Sequence, residues 1–540
     1  MAGEARLRAA HLPSPPQSGR AGTPRPDDHG TCQAGGGITF RADFDSANLA
    51  HARQKPASSS DFELRTERDA ANTEFATENR SWFYFGVHGH RAGAFLGFDV
   101  VDLNKQAKLF NMEMRPVVCC PAAGVRWQRV KSKPHFGPTG EGFHVAFRHR
   151  FETEDEHFFA FCFPHSYRDC QAFLDRMATH AAASTSTIHF RREVLGRSRQ
   201  GRNLEVLTVA SDAADEGDRA KPVFFVSARV HPGEVPASHM FNGLLKFLLR
   251  GKDKRAEVAR KSFVFKLVPM LNPDGVELGH YRCDSRGQNL NRFYANPSET
   301  DQPEIFAVKS LLKRYADQGR LKFYFDLHAH ANKKGVFAFG NTLPPEEQVE
   351  TTLYAKLMSL NCPHWDLLSC NFTEKNMSSK DRDGHTKEGS GRVALFRETG
   401  LPHIYTIESN YCTSRIMNII PQAEMEREEG FNTRSVSPMS KSRSPLFFDT
   451  DIFEGMGRAL VVSALDLLEV NPWTRVPNSP FKSMQALKTW ANSFLTTNGV
   501  SVRAAGVSRI SKLLPKDRNA PAHKSLAPKV LIPVVNPAPE

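Results

Sequence analysis

The chain lacks any apolar run of the roughly 18 residues that a membrane-spanning helix needs, so no transmembrane helix is expected. Its first residues lead into a proline-rich stretch with no apolar centre, and a secretory signal peptide is not expected. It has no Cys-x-x-Cys pair. The 9 cysteines are scattered and odd in number, with only Cys119 and Cys120 adjacent. That excludes a disulfide framework and a cysteine zinc ribbon as readings, and it fits a reducing compartment. Acid is the minority charge. Against 59 Asp+Glu stand 71 Lys+Arg, a net +12 over 540 residues. Such an excess attracts nucleic acid, an anionic membrane or an acidic polypeptide, and by itself does not choose among them. Apolar content is not lacking: at 40% hydrophobic and 24% charged, the chain can build a large core.

Four regions are expected along the sequence. Residues 1–37 hold several prolines and little apolar content, and read as a disordered leader. From 38 to 180 short aromatic-rich runs alternate with turn-like segments. Ile38–Phe44, Trp82–Phe85, Phe143–Phe147 and Phe158–Phe163 read as strands of an antiparallel β-sandwich. From 181 to 472 strands and helices alternate, which predicts an α/β domain. Strands are expected at 221–228, 263–269, 322–327 and 403–407. Helices are expected near 236–249 and 304–315, and from an Asp451 cap to Leu468. A basic Ser/Pro-rich loop spans 434–445. Residues 473–540 read as a polar, basic tail.

Three features stand at predicted strand ends, where open α/β sheets place ligands. They are His231-Pro232-Gly233-Glu234, His328 and Glu408. Two histidines and a carboxylate can hold a zinc ion and leave its fourth position open. Glu408 then suits a general base acting on the attacking water. Each feature alone has an ordinary structural explanation; their joint placement in one domain is the signal. Arginines follow at Arg282 and Arg292. One fork can grip a carboxylate and another can stabilise an oxyanion.

The ordered set His231–Glu234, Asn272-Pro273-Asp274-Gly275, Arg282, Asn291-Arg292, His328 and Glu408 resembles the zinc carboxypeptidases of the carboxypeptidase A type. It is most similar to their cytosolic carboxypeptidase branch, in which a β-sandwich precedes a mixed-sheet α/β catalytic domain. The resemblance implies one zinc on His231, Glu234 and His328. It implies Arg282 as the oxyanion residue, Asn291 and Arg292 as grips for the substrate's terminal carboxylate, and Glu408 as base and proton donor. It also implies a cytoplasmic, microtubule-associated enzyme that removes glutamate from polyglutamylated tubulin or other acidic tails, branch-point γ-linked glutamate included. Nucleic acid and membrane are not expected partners.

Two departures stand out. Many relatives carry Asp where this chain has Asn289, a residue that supports a zinc-binding histidine without adding charge. No tyrosine lies between Trp365 and His403, where a substrate-capping tyrosine is expected. Family spacing places a selectivity residue near Arg392, which the flanking glycines would deliver inward, with Lys387 as runner-up. Competing readings are a zinc amidohydrolase of N-acyl amino acids and an inactive microtubule-binding protein.

Overall fold

The computed structural model describes residues 31–33, 37–140, 142–184, 188–211, 221–381, 384–414, 416–423 and 446–498. Most of the expected leader, the 434–445 loop and residues 499–540 lie outside them.

Residues 31–160 form two sheets. One runs Thr31–Gln33, Thr39–Arg41, Tyr84–His88, His157–Ala160, Val117–Cys120 and Val125–Arg129, every pair antiparallel. The other runs His51–Gln54, Asp61–Arg65, Phe95–Leu103, Gly142–Arg150 and His135–Thr139. Alternate aromatics face inward from both. Phe40, Phe85 and Phe159 from the first sheet meet Phe62, Phe98 and Phe147 from the second, with Phe98 and Phe159 centroids 5.0 Å apart. Burying each such ring is worth roughly 1.5–3 kcal/mol, which is what closes the sandwich.

Two details depart from expectation here. Thr31–Gln33 is already a strand inside the predicted leader. Asp61–Arg65 pairs parallel, not antiparallel, with Phe95–Leu103. Between those two strands the chain visits the other sheet, so it re-enters in the same direction.

The second half is built on a seven-stranded mixed sheet. Its order is His189–Arg197, Asn203–Ala210, Val264–Val268, Val223–Ala228, Leu321–Ala329, Ile404–Ser409 and Val336–Phe339. The four strands from Val264–Val268 to Ile404–Ser409 are parallel, and the outer strands are antiparallel to their neighbours. Residues alternate between two apolar layers. Phe224 and Val226 face one, while Val223 and Phe225 face the other. The first layer, with helices Pro236–Leu248 and Thr450–Leu467, runs without a break into the sandwich core. The second lies under helices Pro303–Asp317 and Gly391–Thr399.

The long helix Thr450–Leu467 is capped by Asp449, whose carboxylate accepts from Ile452 N, and not by Asp451. Inside the expected tail, Met484–Thr497 is a helix with a Ser483 cap. It is held to helix Pro345–Asn361 by the Lys356 ammonium, 5.0 Å from the Phe481 ring centre and 4.7 Å from that of Trp490. Cys119, Cys120, Cys162, Cys170, Cys283, Cys362, Cys370 and Cys412 are all free. No helix among the described residues is long and apolar enough to cross a membrane.

Candidate active site and metal centre

The carboxyl ends of strands Val223–Ala228, Leu321–Ala329 and Ile404–Ser409 lie side by side, and there the chain gathers its polar groups. His328 and Glu408 are partners in the parallel register, so both side chains leave the sheet on the same face. The His231–Glu234 turn follows the first of these strands and leads into helix Pro236–Leu248. Arg229 holds it from below. Its backbone is left-handed (φ 60°), and its buried guanidinium donates Nε and Nη2 to Pro232 O at 3.0 and 2.7 Å. From above, Gly233 N donates to Tyr281 O at 2.8 Å. A Cβ at Gly233 would stand 2.5 Å from the Tyr281 ring, so only glycine fits between the two ligands.

His231, Glu234 and His328 bring one donor atom each within 4.8 Å of the others. Their outward bonds test whether a metal suits them. His231 Nε2 lies 3.0 Å from Asn289 Oδ1, and His328 Nε2 lies 2.8 Å from Asp326 Oδ2. Both partners are acceptors, which assigns the ring proton to Nε2 in each histidine. In neutral rings, the state that ligation needs, the two Nδ1 atoms then present lone pairs. They point at Glu234 Oε1 and Oε2 from 2.8 and 2.9 Å. Lone pairs facing carboxylate oxygens at that distance call for a cation among them, and two imidazoles plus a carboxylate are the donor set of a catalytic zinc.

Burial opposes charge on His231 and brings its pKa down to about 4, the neutral state a ligand needs. Burial also opposes charge on His328, but the Asp326 and Glu234 carboxylates outweigh it and hold His328 well above the usual histidine range, so without metal its Nδ1 keeps a proton toward Glu234 that a bound cation would displace. Asp326 was not foreseen from sequence. Its signal was there: Asp326-Leu327-His328 puts two residues, two apart, on one face of a strand.

Glu408 is buried, and its Oε2 has no hydrogen-bond partner among the described residues. Burial pushes its pKa up to about 7, with Glu234 and Asp326 adding to the rise and His328 and Lys387 opposing it. A carboxylate poised there suits proton transfer in both directions near neutral pH.

The expected cations surround this acid in different states. The Arg282 guanidinium makes no hydrogen bond or ion pair among the described residues, yet its charge is felt by both His231 and Asp381. Asn291 is tied down, with Gly391 N donating to its Oδ1 at 3.0 Å. Arg292 donates Nε to Asp381 Oδ2 at 2.8 Å, so a substrate carboxylate would share the guanidinium with that acid.

Arg392 corrects its expectation in detail. It is the second residue of helix Gly391–Thr399, not part of a glycine-driven turn, and it is 3% exposed. Neither Gly389 nor Gly391 has a positive φ. They are small because a Cβ would stand 2.1 Å from Arg292 O in one case and 3.1 Å from the Tyr294 ring in the other. Arg392 donates to Gly340 O, to Asn341 Oδ1 at 2.9 Å and to Asn376 Oδ1 at 2.8 Å, all neutral acceptors. It has no acidic partner among the described residues. Burial brings its pKa down to about 10, and Glu408 alone pulls the other way. Lys387 sits beside it, its ammonium 5.5 Å from the Phe339 ring centre. Burial and the charges of Arg392 and Arg292 lower the Lys387 pKa.

A mixed sheet carrying a His-x-x-Glu turn, a distant histidine and a buried glutamate at adjacent strand ends defines a zinc hydrolase of the carboxypeptidase fold. Comparison with known proteins agrees. The zinc carboxypeptidase family matches residues 172–430, and the cytosolic carboxypeptidase N-terminal domain matches residues 40–162. Cytosolic carboxypeptidase-like protein 5 of Ailuropoda melanoleuca is 35% identical over 87% of this chain and 68% of its own length. The protein of that name from Rattus norvegicus is 34% identical over 90% of this chain and 75% of its own. The chain belongs to the cytosolic carboxypeptidases of the zinc carboxypeptidase family. Among solved structures, the metallo-carboxypeptidase of Burkholderia cenocepacia shares the fold, with a TM-score of 0.60 and 20% identity over 80% of this chain and 99% of that one.

Proposed function

We propose that the protein is a cytoplasmic, zinc-dependent carboxypeptidase that releases glutamate from the ends of acidic polypeptides, polyglutamylated tubulin foremost. One observation carries the acidic specificity. Arg392 is a buried guanidinium that feels the charge of Glu408 but whose hydrogen-bond partners among the described residues are all neutral. A buried charge without a directly bonded counter-charge costs several kcal/mol, and a glutamate side chain of the substrate would supply that bond. The net charge of +12 favours the same substrates at longer range.

The residues divide the work. His231, Glu234 and His328 would hold the zinc, which would supply acidification of water and polarisation of the scissile carbonyl. Glu408 takes the proton of the attacking water and returns it to the leaving amine. Arg282 faces the carbonyl oxygen as it gains charge. Asn291 and Arg292 receive the terminal carboxylate, which confines cleavage to the last residue. Asn289 and Asp326 hold the histidine rings in the tautomer that ligation needs.

The test is a substrate panel with the zinc-loaded protein: linear glutamyl peptides, γ-branched glutamyl peptides, their C-terminal amides, leucine-ended peptides and N-acetylglutamate. Released amino acids are read by mass spectrometry. Glutamate from the free-acid peptides alone supports the proposal. Equal cleavage of amides, or turnover of N-acetylglutamate only, would overturn it.

A further inference from the structure

The segment that carries Arg282 is stitched to the opposite end of the chain. On either side of residues 281–283 the backbone is satisfied locally: His280 N donates to Gly275 O, and Asp284 N to Gln288 O. The three N–H groups between them all donate to one carboxylate, that of Asp69 in the sandwich half. Tyr281 N reaches Oδ1 at 2.6 Å, and Arg282 N and Cys283 N reach Oδ2 at 2.7 and 2.8 Å. Asp69 is 1% exposed and lies 212 positions before Tyr281. Its own place is fixed, since Asp69 N donates to Asn79 O and Thr77 N to Asp69 O. Next to it, Ala70 N donates to His280 Nε2, and His280 Nδ1 donates to Cys283 O, closing the bracket. Neighbouring ties run the same way. Asn48 Nδ2 donates to Gly279 O at 2.8 Å, and Gln106 Nε2 to the Tyr281 hydroxyl at 2.9 Å.

Arg282 has no side-chain tether among the described residues, so what its surroundings fix is the backbone from which the side chain starts, and with it the region the guanidinium can reach. Tyr281 O in turn receives Gly233 N from the metal turn. We infer that Asp69 is a positioning residue of the active site: by gathering the amides of 281–283 it aims Arg282 at the reacting carbonyl and braces the His231–Glu234 turn. The sandwich is thereby part of the catalytic apparatus. The inference rests on Arg282 as the oxyanion residue.

Two measurements on the full-length, zinc-loaded protein test it. In the unmutated protein, amides 281–283 should exchange with solvent as slowly as those of the adjacent strands, although they belong to no helix or strand. Fast exchange overturns the inference without any variant. Asp69→Asn keeps the volume but turns an NH2 group toward N–H donors. The expected result is faster exchange at 281–283, unchanged zinc content, and kcat on a glutamate-ended peptide lower by at least about tenfold with KM within about threefold. Asp69→Ser is the second variant should Asn not fold.

The role is separated from mere structure by combining Asp69→Asn with Arg282→Ala. If Asp69 acts through Arg282, the double variant is scarcely slower than Arg282→Ala alone; fully multiplied losses overturn the inference. Full turnover in Asp69→Asn beside an impaired Arg282→Ala also overturns it. Full turnover in Arg282→Ala overturns the oxyanion reading itself, and this inference with it.

Discussion

The metal side of the cleft and its substrate side are finished to different degrees. On the metal side every ring nitrogen has a partner, and Arg229, Asn289 and Asp326 leave the ligands no choice of orientation. On the substrate side charge is left over: among the described residues Arg282 is untethered, Lys387 rests against Phe339, and Arg392 hydrogen-bonds only to amides and a carbonyl. A site that must hold one ion at all times is preorganised down to its tautomers. Under the proposed function, a site that accepts and releases an acidic chain keeps its counter-charge for the substrate.

The comparison can be broken most severely on the metal side. His231→Ala removes one of three donors, so zinc and activity should vanish together by metal analysis and peptide assay; retained stoichiometric zinc would show that the trio is not the ligand set. Glu408→Gln should keep the metal and lose turnover by about 10²–10⁴-fold, and a loss under tenfold would remove Glu408 from proton transfer. Because burial sets the Glu408 pKa to about 7, and the base works only when ionised, kcat/KM of the unmutated enzyme should fall as pH drops below that value. A bound cation would move this limb to lower pH, not higher.

On the substrate side, Arg392→Leu should cut glutamate release by orders of magnitude while leucine release holds or rises. Parallel losses on both peptides would mean that another cation, Lys387 first, reads the acid. A smaller effect should come from Asn289→Asp. Asn289 Nδ2 is buried without a partner among the described residues, and a carboxylate there would make His231 a more basic ligand. Zinc should be held up to about tenfold more tightly in a chelator competition.

The smallest effect sharpens the contrast from outside the cleft. Glu304 is a buried carboxyl with no cationic partner among the described residues, the mirror image of Arg392, but a carboxyl can neutralise itself where a guanidinium cannot. Burial, then Asp274 and Asp284, push its pKa from 4.5 up to about 8. Across that window the folded protein holds a proton that the unfolded chain releases, so its stability contribution is full below 4.5 and is lost as pH rises through about 8. Glu304→Gln should therefore match the unmutated protein in acid and exceed it in denaturant midpoint at alkaline pH.

Much of the active site was legible as spacing. His231-x-x-Glu234, His328 and Glu408 each follow or end a recognisable strand, and strand ends are where a parallel sheet gathers ligands. Asp326 was legible in principle, through its two-residue step from His328. Arg392 was legible as a position, but its surroundings were not. Whether Gly389 and Gly391 serve rotation or close approach depends on Arg292 O and the Tyr294 ring, which the one-dimensional pattern does not bring near. The cap of the last long helix of the sheet domain slipped by two residues, because Asp449 and Asp451 are equally good candidates until the backbone turns.

The sequence by itself determined the alternation of strands and helices, the order of the chemical groups along the chain, and the types of donor available, because these depend on local periodicity and on side-chain chemistry. The tertiary structure alone decided which nitrogen of each histidine is left for a metal, which cations are neutralised and which are kept in reserve, and that Asp69 closes on residues 281–283. Those are outcomes of contacts between residues far apart in the chain. A carboxylate 212 positions away carries no local signature, since any buried polar group is satisfied by whatever donor the completed fold brings to it.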